Sequence, residues 1–225
     1  MIIDRQPVGY GEAVMRIVKE AQERKNEILD AAAELFATKG YDGTSTNDIL
    51  EKIGIARGTL YYHFKSKEDI LDGMIERING SLAAKARELA GDKSVPVVER
   101  ILLVIKNLNV ESDIGEEVMK QVHKPQNALM HQKMQQSLMD EIAPILAKLV
   151  EEGVSQEIFH TQCPLEATEM ILLYSEVVFD DQFQQSGDQQ AKRIRAFLYN
   201  AERLLGAESG SLAVPMMELF QERKC

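Results

Sequence analysis

The sequence predicts an all-α protein, and three observations lead there. Apolar residues recur at three- and four-residue spacing along most of the chain, as in Ile28, Ala32, Leu35 and Phe36. That is the stripe of a helix with one buried face. Period-two alternation of Val, Ile and Thr between turn residues, the mark of strands, is missing. Glycines and prolines fall between the periodic stretches, where they stop and start helices.

Taken in order, a first helix is expected from about Gly11 to Lys39, with Leu29 and Ala33 widening its stripe and Gly40 as its stop. Tyr41 to Thr44 reads as a turn. Ser45-Thr46-Asn47-Asp48 fits a capping box that opens a short helix. Ile49, Leu50 and Ile53 form its inner face, and Gly54 ends it. A second short helix is expected from Arg57 to about Phe64. Ser66 can cap a third, with Glu68 and Asp69 favouring its first turn. It runs through Leu71, Met74, Ile75 and Ile78 toward Leu89, and Gly91 closes it.

The later helices lengthen. Pro96 opens one to about Leu108, and Asp113 to His123 is a shorter one. Pro125 opens a helix that reaches Glu152 before Gly153, with a kink expected at Pro144. Pro164 opens another to about Phe183, and Gln189 to Leu205 is the next. Gly206 to Gly210 is a small-residue linker, and Leu212 to Gln221 a short terminal helix.

With 225 residues, 44% hydrophobic and 28% charged, the chain can bury a real core, and one to two domains are expected. Lys and Arg number 26 against 36 Asp and Glu, a net charge of −10. That balance excludes coating nucleic acid or an anionic membrane with the whole surface. It does not exclude one basic face. Residues 52–67 hold Lys52, Arg57, Lys65 and Lys67 with no acidic residue, so this stretch is +4 and the rest of the chain −14. Two cysteines, Cys163 and Cys225, are too few for a disulfide framework. The start, Met1-Ile2-Ile3-Asp4-Arg5, lacks the basic-then-apolar pattern of a secretory leader. No stretch reaches the ~18 apolar residues of a membrane span. A cytoplasmic protein without membrane partners is therefore expected.

Two short helices joined by a Gly-containing turn form a helix-turn-helix signature. In such a motif the second helix enters the DNA major groove and the first braces it. Leu60 and Phe64, at i and i+4, can pack on Ile49 and Ile53. Gly58, Thr59, Tyr62 and His63 fall on other faces. Gly58 permits close backbone approach. Arg57 carries the fork that reads guanine. Thr59 suits a phosphate or a thymine methyl, and Tyr61 and Tyr62 can donate to phosphates. Lys67 adds charge to a helix N-terminus that itself attracts phosphate.

The run Gly40-Tyr41-Asp42-Gly43-Thr44-Ser45-Thr46-Asn47-Asp48-Ile49, followed by Gly54-Ile55-Ala56-Arg57-Gly58-Thr59-Leu60-Tyr61-Tyr62-His63-Phe64-Lys65-Ser66-Lys67-Glu68, resembles the DNA-binding domain of tetracycline-repressor (TetR) family regulators. The resemblance covers about residues 24–75. It implies that Thr46, Asn47, Arg57, Gly58, Thr59, Tyr61, Tyr62, His63 and Lys67 face DNA, and that Leu60 and Phe64 hold the domain together. It also implies an N-terminal three-helix DNA-binding domain followed by a helical-bundle ligand-binding and dimerisation domain. The expected division is an extension over residues 1–20, a reading domain over 21–75 and an effector and dimerisation domain over 76–225. Ala56 departs from the pattern, since Ser or Thr usually caps the recognition helix. Leu50 and Ile53 replace the usual Ala pair, and the N-terminal extension is unusually long. The partners implied are double-stranded operator DNA, a small-molecule effector and a second copy of the chain, with repression the expected sign.

Beyond residue 80 no motif stands out. Met119, Val122, Met130, Met134 and Leu138 would give a Met-rich pocket lining, with Leu102, Ile105, Phe159, Met170 and Tyr174 as further candidates. Met at helical spacing is equally the pattern of plain core filling. His123 and His131 could orient a polar group of a ligand. The run from Met170 to Phe179 is apolar nearly all round, so it must be covered on every side. One arrangement sets it against its own domain and a second subunit, with Ile171, Val178, Ile194, Phe197, Leu198, Ala201 and Leu205 in a four-helix dimer interface. The other makes it a fully internal helix.

Enzyme signatures are missing. There is no Gly-rich phosphate loop, no H-E-x-x-H and no G-x-S-x-G. His160-Thr161-Gln162-Cys163 offers two ligand types but no second pair at ligand spacing. No enzyme activity, metal or cofactor is assigned. A helical interaction module is the rival reading, and it would have no need of the basic stretch at 52–67.

Overall fold

The computed structural model describes residues 10–108, 127–179 and 187–216, and among them every regular element is a helix. The elements are α1 (Tyr10–Lys39), α2 (Thr46–Ile53), α3 (Arg57–His63), α4 (Lys67–Gly91), α5 (Val97–Leu108), α6 (Ala128–Glu141), α7 (Ala143–Ser155), α8 (Pro164–Phe179) and α9 (Gly187–Leu205). The helix expected over Asp113 to His123, the start at Pro125 and the ends of the Pro164 and Leu212 helices lie outside the described residues.

The chain forms two compact units. Among the described residues, one contains 10–74 and 127–131, the other 75–108, 132–179 and 187–216. In the first, α1 buries Ile28, Leu29, Ala32 and Phe36, one stripe at helical spacing. Ile49 of α2, Leu60 of α3, the following Phe64, and Ile70, Leu71 and Met74 of α4 are also buried. The α1 helix stops at Gly40, which takes a left-handed φ of 79° that a side chain would resist.

In the second unit α7 packs on α5 and on α8, and α8 packs on α9. One core cluster gathers Ala83, Ala86, Val97, Val104, Ile142, Leu146 and Leu172. A second gathers Val150, Phe159, Val178, Phe197, Leu198 and Leu205. Arg100 is 2% exposed, yet its charge is answered. Its Nε donates to the Val95 carbonyl at 2.9 Å and its Nη1 to the Ala90 carbonyl at 2.8 Å. Nη1 and Nη2 both bond the Glu152 carboxylate. Such full pairing makes a buried guanidinium tolerable. The Arg100 and Lys93 cations lower the Glu152 pKa to about 2. Buried Glu202 accepts from the backbone N–H of Gly210, Leu212 and Ala213, and so ties the chain after α9 back onto that helix.

Two expectations need correction here. The helix through Pro144 is broken, not kinked: α6 ends at Glu141, Ile142 is a turn, and Pro144 sits in the first turn of α7. Proline has no N–H for a preceding carbonyl, and its ring clashes one turn back, so the chain restarts where that N–H would be free anyway. Gly153 is no stop, since α7 continues to Ser155. A Cβ on Gly153 would lie 2.3 Å from the Phe159 ring, so the glycine makes room for that side chain.

The proposed dimer stripe is also relocated. Phe197 and Leu198 are only 4% and 1% exposed, and Val178, Ala201 and Leu205 are buried with them. Ile171 and Ile194 pack half-buried on the same core. This stripe is the inner face of the α8–α9 pair and already has its cover within one chain. The outer face of α8 carries Met170, Leu173, Tyr174 and Val177, all exposed and one helical row by spacing.

Candidate nucleic-acid interface

The interface begins at the capping box of α2. Ser45 Oγ accepts from the Asp48 N–H at 3.2 Å, and Asp48 Oδ2 accepts from the Ser45 N–H at 2.8 Å. Lys39 Nζ donates to Asp48 Oδ1 at 2.5 Å, which joins the box to the end of α1. These bonds, with Lys39 the largest contributor, hold the Asp48 carboxyl far below the usual carboxylate range. Gly54 ends α2 with a left-handed φ of 73°. Ala56 then opens α3 without a side-chain cap. Only the backbone contains the start of the helix, where the Thr59 N–H donates to the Ala56 carbonyl at 3.0 Å.

The seven residues of α3 divide by face. Leu60 is fully buried, and Phe64 after the helix is 2% exposed. The Phe64 ring lies against Gly73 of α4, where a Cβ would come within 2.9 Å of it, and Lys25 Nζ stands 5.8 Å from the ring centre. Gly73 was not legible as a site residue, because its role is to vacate space for a ring nine positions away. On the other face Arg57, Gly58, Tyr61 and Tyr62 are exposed, Tyr62 by 80%. Nothing lies within 4 Å of a Cβ built on Gly58. Thr46, Thr59 and His63 are half-buried at the margin, and Asn47 is exposed.

Four of these side chains are held by neighbours. Arg57 Nη2 donates to Asn47 Oδ1 at 3.0 Å, across the turn between α2 and α3. The Tyr62 and His63 rings meet edge to face with centres 5.0 Å apart. Burial, then the nearby Arg24 and Lys25 charges, push the His63 pKa down and favour its neutral form. Lys67 Nζ donates to the Tyr41 carbonyl at 2.7 Å and lies 4.1 Å over the Tyr41 ring, which anchors the ammonium without cancelling its charge. Lys52, by contrast, is paired with Glu34 at 2.6 Å. The local charge of residues 52–67 is therefore less free than its count suggests. Arg24 and Lys25 of α1, outside that stretch, lie close enough to lower the His63 pKa.

The ends of α3 and α4 are stapled together. Ser66 Oγ accepts from the Asp69 N–H at 3.0 Å, and Asp69 Oδ2 accepts from the Lys65 N–H at 2.7 Å. Thus the C-terminal end of α3 is tied to the start of α4 while its outward row stays open. An uncovered row on a firmly seated helix suits insertion into a groove.

Of the expected effector residues the structure brings together Leu102, Ile105 and Phe159, all on the second core cluster. Met119, Val122 and His123 lie outside the described residues. Phe159 is sealed against Gly153, and Met130 is 1% exposed in the other unit. Met170 and Tyr174 point outward. Leu102 and Ile105 pack half-buried on the second core cluster, and Met134 is half-buried on α6. A cleft of about 290 Å³ lined by Arg87, Lys93, Ile145, Lys148 and Glu152, among others, includes none of the expected lining. Among the described residues no three metal-binding side chains cluster, and no helix is long and apolar enough to cross a membrane.

Comparison with known proteins agrees with this arrangement. Residues 28–74 match the family of bacterial regulatory proteins of the tetR type, and residues 110–199 match the tetracycline repressor-like C-terminal domain. The HTH-type transcriptional repressor KstR2 of Mycobacterium tuberculosis is 33% identical over 82 residues, 36% of this chain and 41% of the relative. The fatty acid metabolism regulator protein of Bacillus subtilis is 31% identical over 121 residues, 44% of this chain and 62% of the relative. The chain thus spans less than half the length of the KstR2 relative it matches and under two thirds of the Bacillus one. The structure of the fatty acid degradation regulator FadR from Bacillus halodurans superposes with a TM-score of 0.59 at 21% identity, covering 83% of this chain and 96% of that one, which shows a shared fold. With both of its parts matched to one family and its fold shared with a solved regulator, the chain belongs to the TetR family of bacterial regulatory proteins.

Proposed function

We propose that the chain is a DNA-binding transcriptional repressor that reads a pseudo-palindromic operator as a homodimer and is released by a small molecule. The observation that carries this reading is the division of α3, with Leu60 buried and Arg57, Gly58, Tyr61 and Tyr62 open on a helix whose C-terminal end is tied to α4. Thr46, Asn47, Thr59 and His63 border that row, and Lys67 stands behind it. Repression is supported by similarity to proteins named as repressors, KstR2 among them. The reading domain is residues 21–75, with residues 127–131 in the same compact unit, and the effector and dimerisation function belongs to the rest of residues 76–225.

Dimerisation is supported by the row Met170, Leu173, Tyr174 and Val177, with Tyr199 of α9 also exposed. Four large apolar side chains in one helical row favour a partner surface. A second copy supplies the second half-site reader, one helical turn of DNA away. The effector is an apolar-bodied small molecule, and the half-buried Leu102, Ile105 and Met134 are its remaining described candidates. Fatty acids belong in the first panel of effectors, since two of the similar proteins are named as fatty acid regulators.

Selection of bound DNA from a random pool by the purified chain tests the reading. The expected product is two inverted half-sites about one helical turn apart, released by a member of the effector panel. A pool that stays random after repeated rounds overturns it.

A further inference from the structure

Asn127 stands just before α6 and is fully buried. Its Oδ1 accepts from the backbone N–H of Tyr41 at 2.6 Å, across 86 positions of sequence. The bond follows directly on the end of α1, where the Gly40 N–H returns to the Phe36 carbonyl at 3.0 Å and Gly40 is left-handed. The other side of Tyr41 is equally committed. Its carbonyl accepts from Lys67 Nζ, and its ring lies under the same ammonium and edge-on to Phe36, centres 5.2 Å apart. Lys67 opens α4, and the Ser66–Asp69 staple ties that opening to the end of α3. One residue, Tyr41, therefore links the start of α6 to the corner where the outward-facing helix meets α4.

We propose that Asn127 is a positioning residue of the DNA-reading head, which holds the Tyr41 peptide and through it the Lys67 ammonium at the α3–α4 corner. The proposal rests on the reading of α3 as the DNA-facing helix. The first turn of α6, closed by buried Met130, is then a strut of the head, although most of α6 belongs to the other compact unit. A shift of that turn breaks the Asn127–Tyr41 hydrogen bond and so loosens the peptide whose carbonyl holds Lys67.

A double-mutant cycle on the full-length chain tests this, with the DNA recovered by the selection above as probe. Asn127→Ala is expected to weaken binding about tenfold, the order of one lost buried hydrogen bond. It should also flatten the salt dependence by about one phosphate contact. Lys67→Ala should do much the same, and the double variant little more than either single one. Asn127→Asp keeps the acceptor oxygen and should recover most of the affinity. Wild-type affinity in Asn127→Ala, or losses that multiply in the double variant, overturns the proposal. Failure of the wild-type chain to select any DNA defeats the operator reading instead. Should Asn127→Ala not fold, hydrogen exchange of the wild-type Tyr41 amide decides: slow exchange, slower still with DNA, supports the strut, and exchange as fast as at exposed Asp42 overturns it.

Discussion

Asn47 and Arg57 meet across the helix-turn-helix, with the Arg57 guanidinium donating to the Asn47 side-chain carbonyl at 3.0 Å. The bond orients a flexible fork before any ligand arrives, and preorganisation of this kind lowers the entropy lost on binding. Arg57→Ala is expected to cost roughly 1–3 kcal/mol per half-site and to relax base preference at one position. Asn47→Ala, which frees the fork but keeps it, should cost less and leave the preference in place. Titration against half-sites changed one base at a time separates the two. Equal loss on every sequence would make Arg57 a phosphate contact.

Gly58 offers a cleaner separation of fold from function. A Cβ there meets no protein atom within 4 Å, and helix propensity favours Ala over Gly by about 1 kcal/mol. Gly58→Ala should therefore melt at the same or a higher temperature while binding operator DNA more weakly. Thermal melts and binding isotherms on one preparation check this. Undiminished binding would place the DNA backbone away from Gly58.

The subunit interface is tested at Leu173, which is 44% exposed on the outer row of α8. Leu173→Glu should yield folded monomers by sedimentation, with operator binding that no longer saturates as a dimer. A charge at Phe197, by contrast, should unfold the second unit, because that ring is buried within the protomer. Intact dimers of Leu173→Glu would remove the outer row from the interface.

Acid should loosen the second unit through Glu152. Its carboxyl titrates near 4.5 when free and at about 2 in the folded chain, held down by Arg100 and Lys93. A depressed folded pKa means that the unfolded chain binds the proton first, so stability is full above about 4.5 and drains away as pH falls toward about 2. Glu152→Gln should melt lower at neutral pH and lose part of that acid dependence. His63 acts in the same direction at higher pH. Its depressed pKa disfavours the folded state as pH drops below about 6.5, where a free imidazole takes up its proton. Melts from pH 7 to pH 3 for the wild type and for Glu152→Gln check the assignment.

Much of the reading unit was legible from local spacing. Ser45 and Asp48, three apart, can only meet at a helix start, and Leu60 and Phe64, four apart, share a face. The second unit was legible as helices but not as surfaces. A helix that is apolar all round gives no sign of which row faces in, so Val178 and Phe197 were assigned to an interface that the protomer's own core occupies. Pro144 reads as a kink within one helix, whereas the chain turns at Ile142 and Pro144 lies in the first turn of the next helix. The effector pocket was illegible for a related reason, since Met at helical spacing fills a core and lines a cavity equally well.

The sequence alone determined the helical class, the bounds of the short helices and the buried Leu60–Phe64 side of the recognition segment. Each of these depends on residues within about one turn of each other, where periodicity and capping act. Only the tertiary structure decided that Gly153 yields to Phe159, that Arg100 is answered by Glu152 and that Asn127 holds Tyr41. Those pairings join segments whose meeting depends on how whole helices pack. Burial then makes each contact obligatory, because a void, an unpaired charge or an orphaned N–H has no water to relieve it.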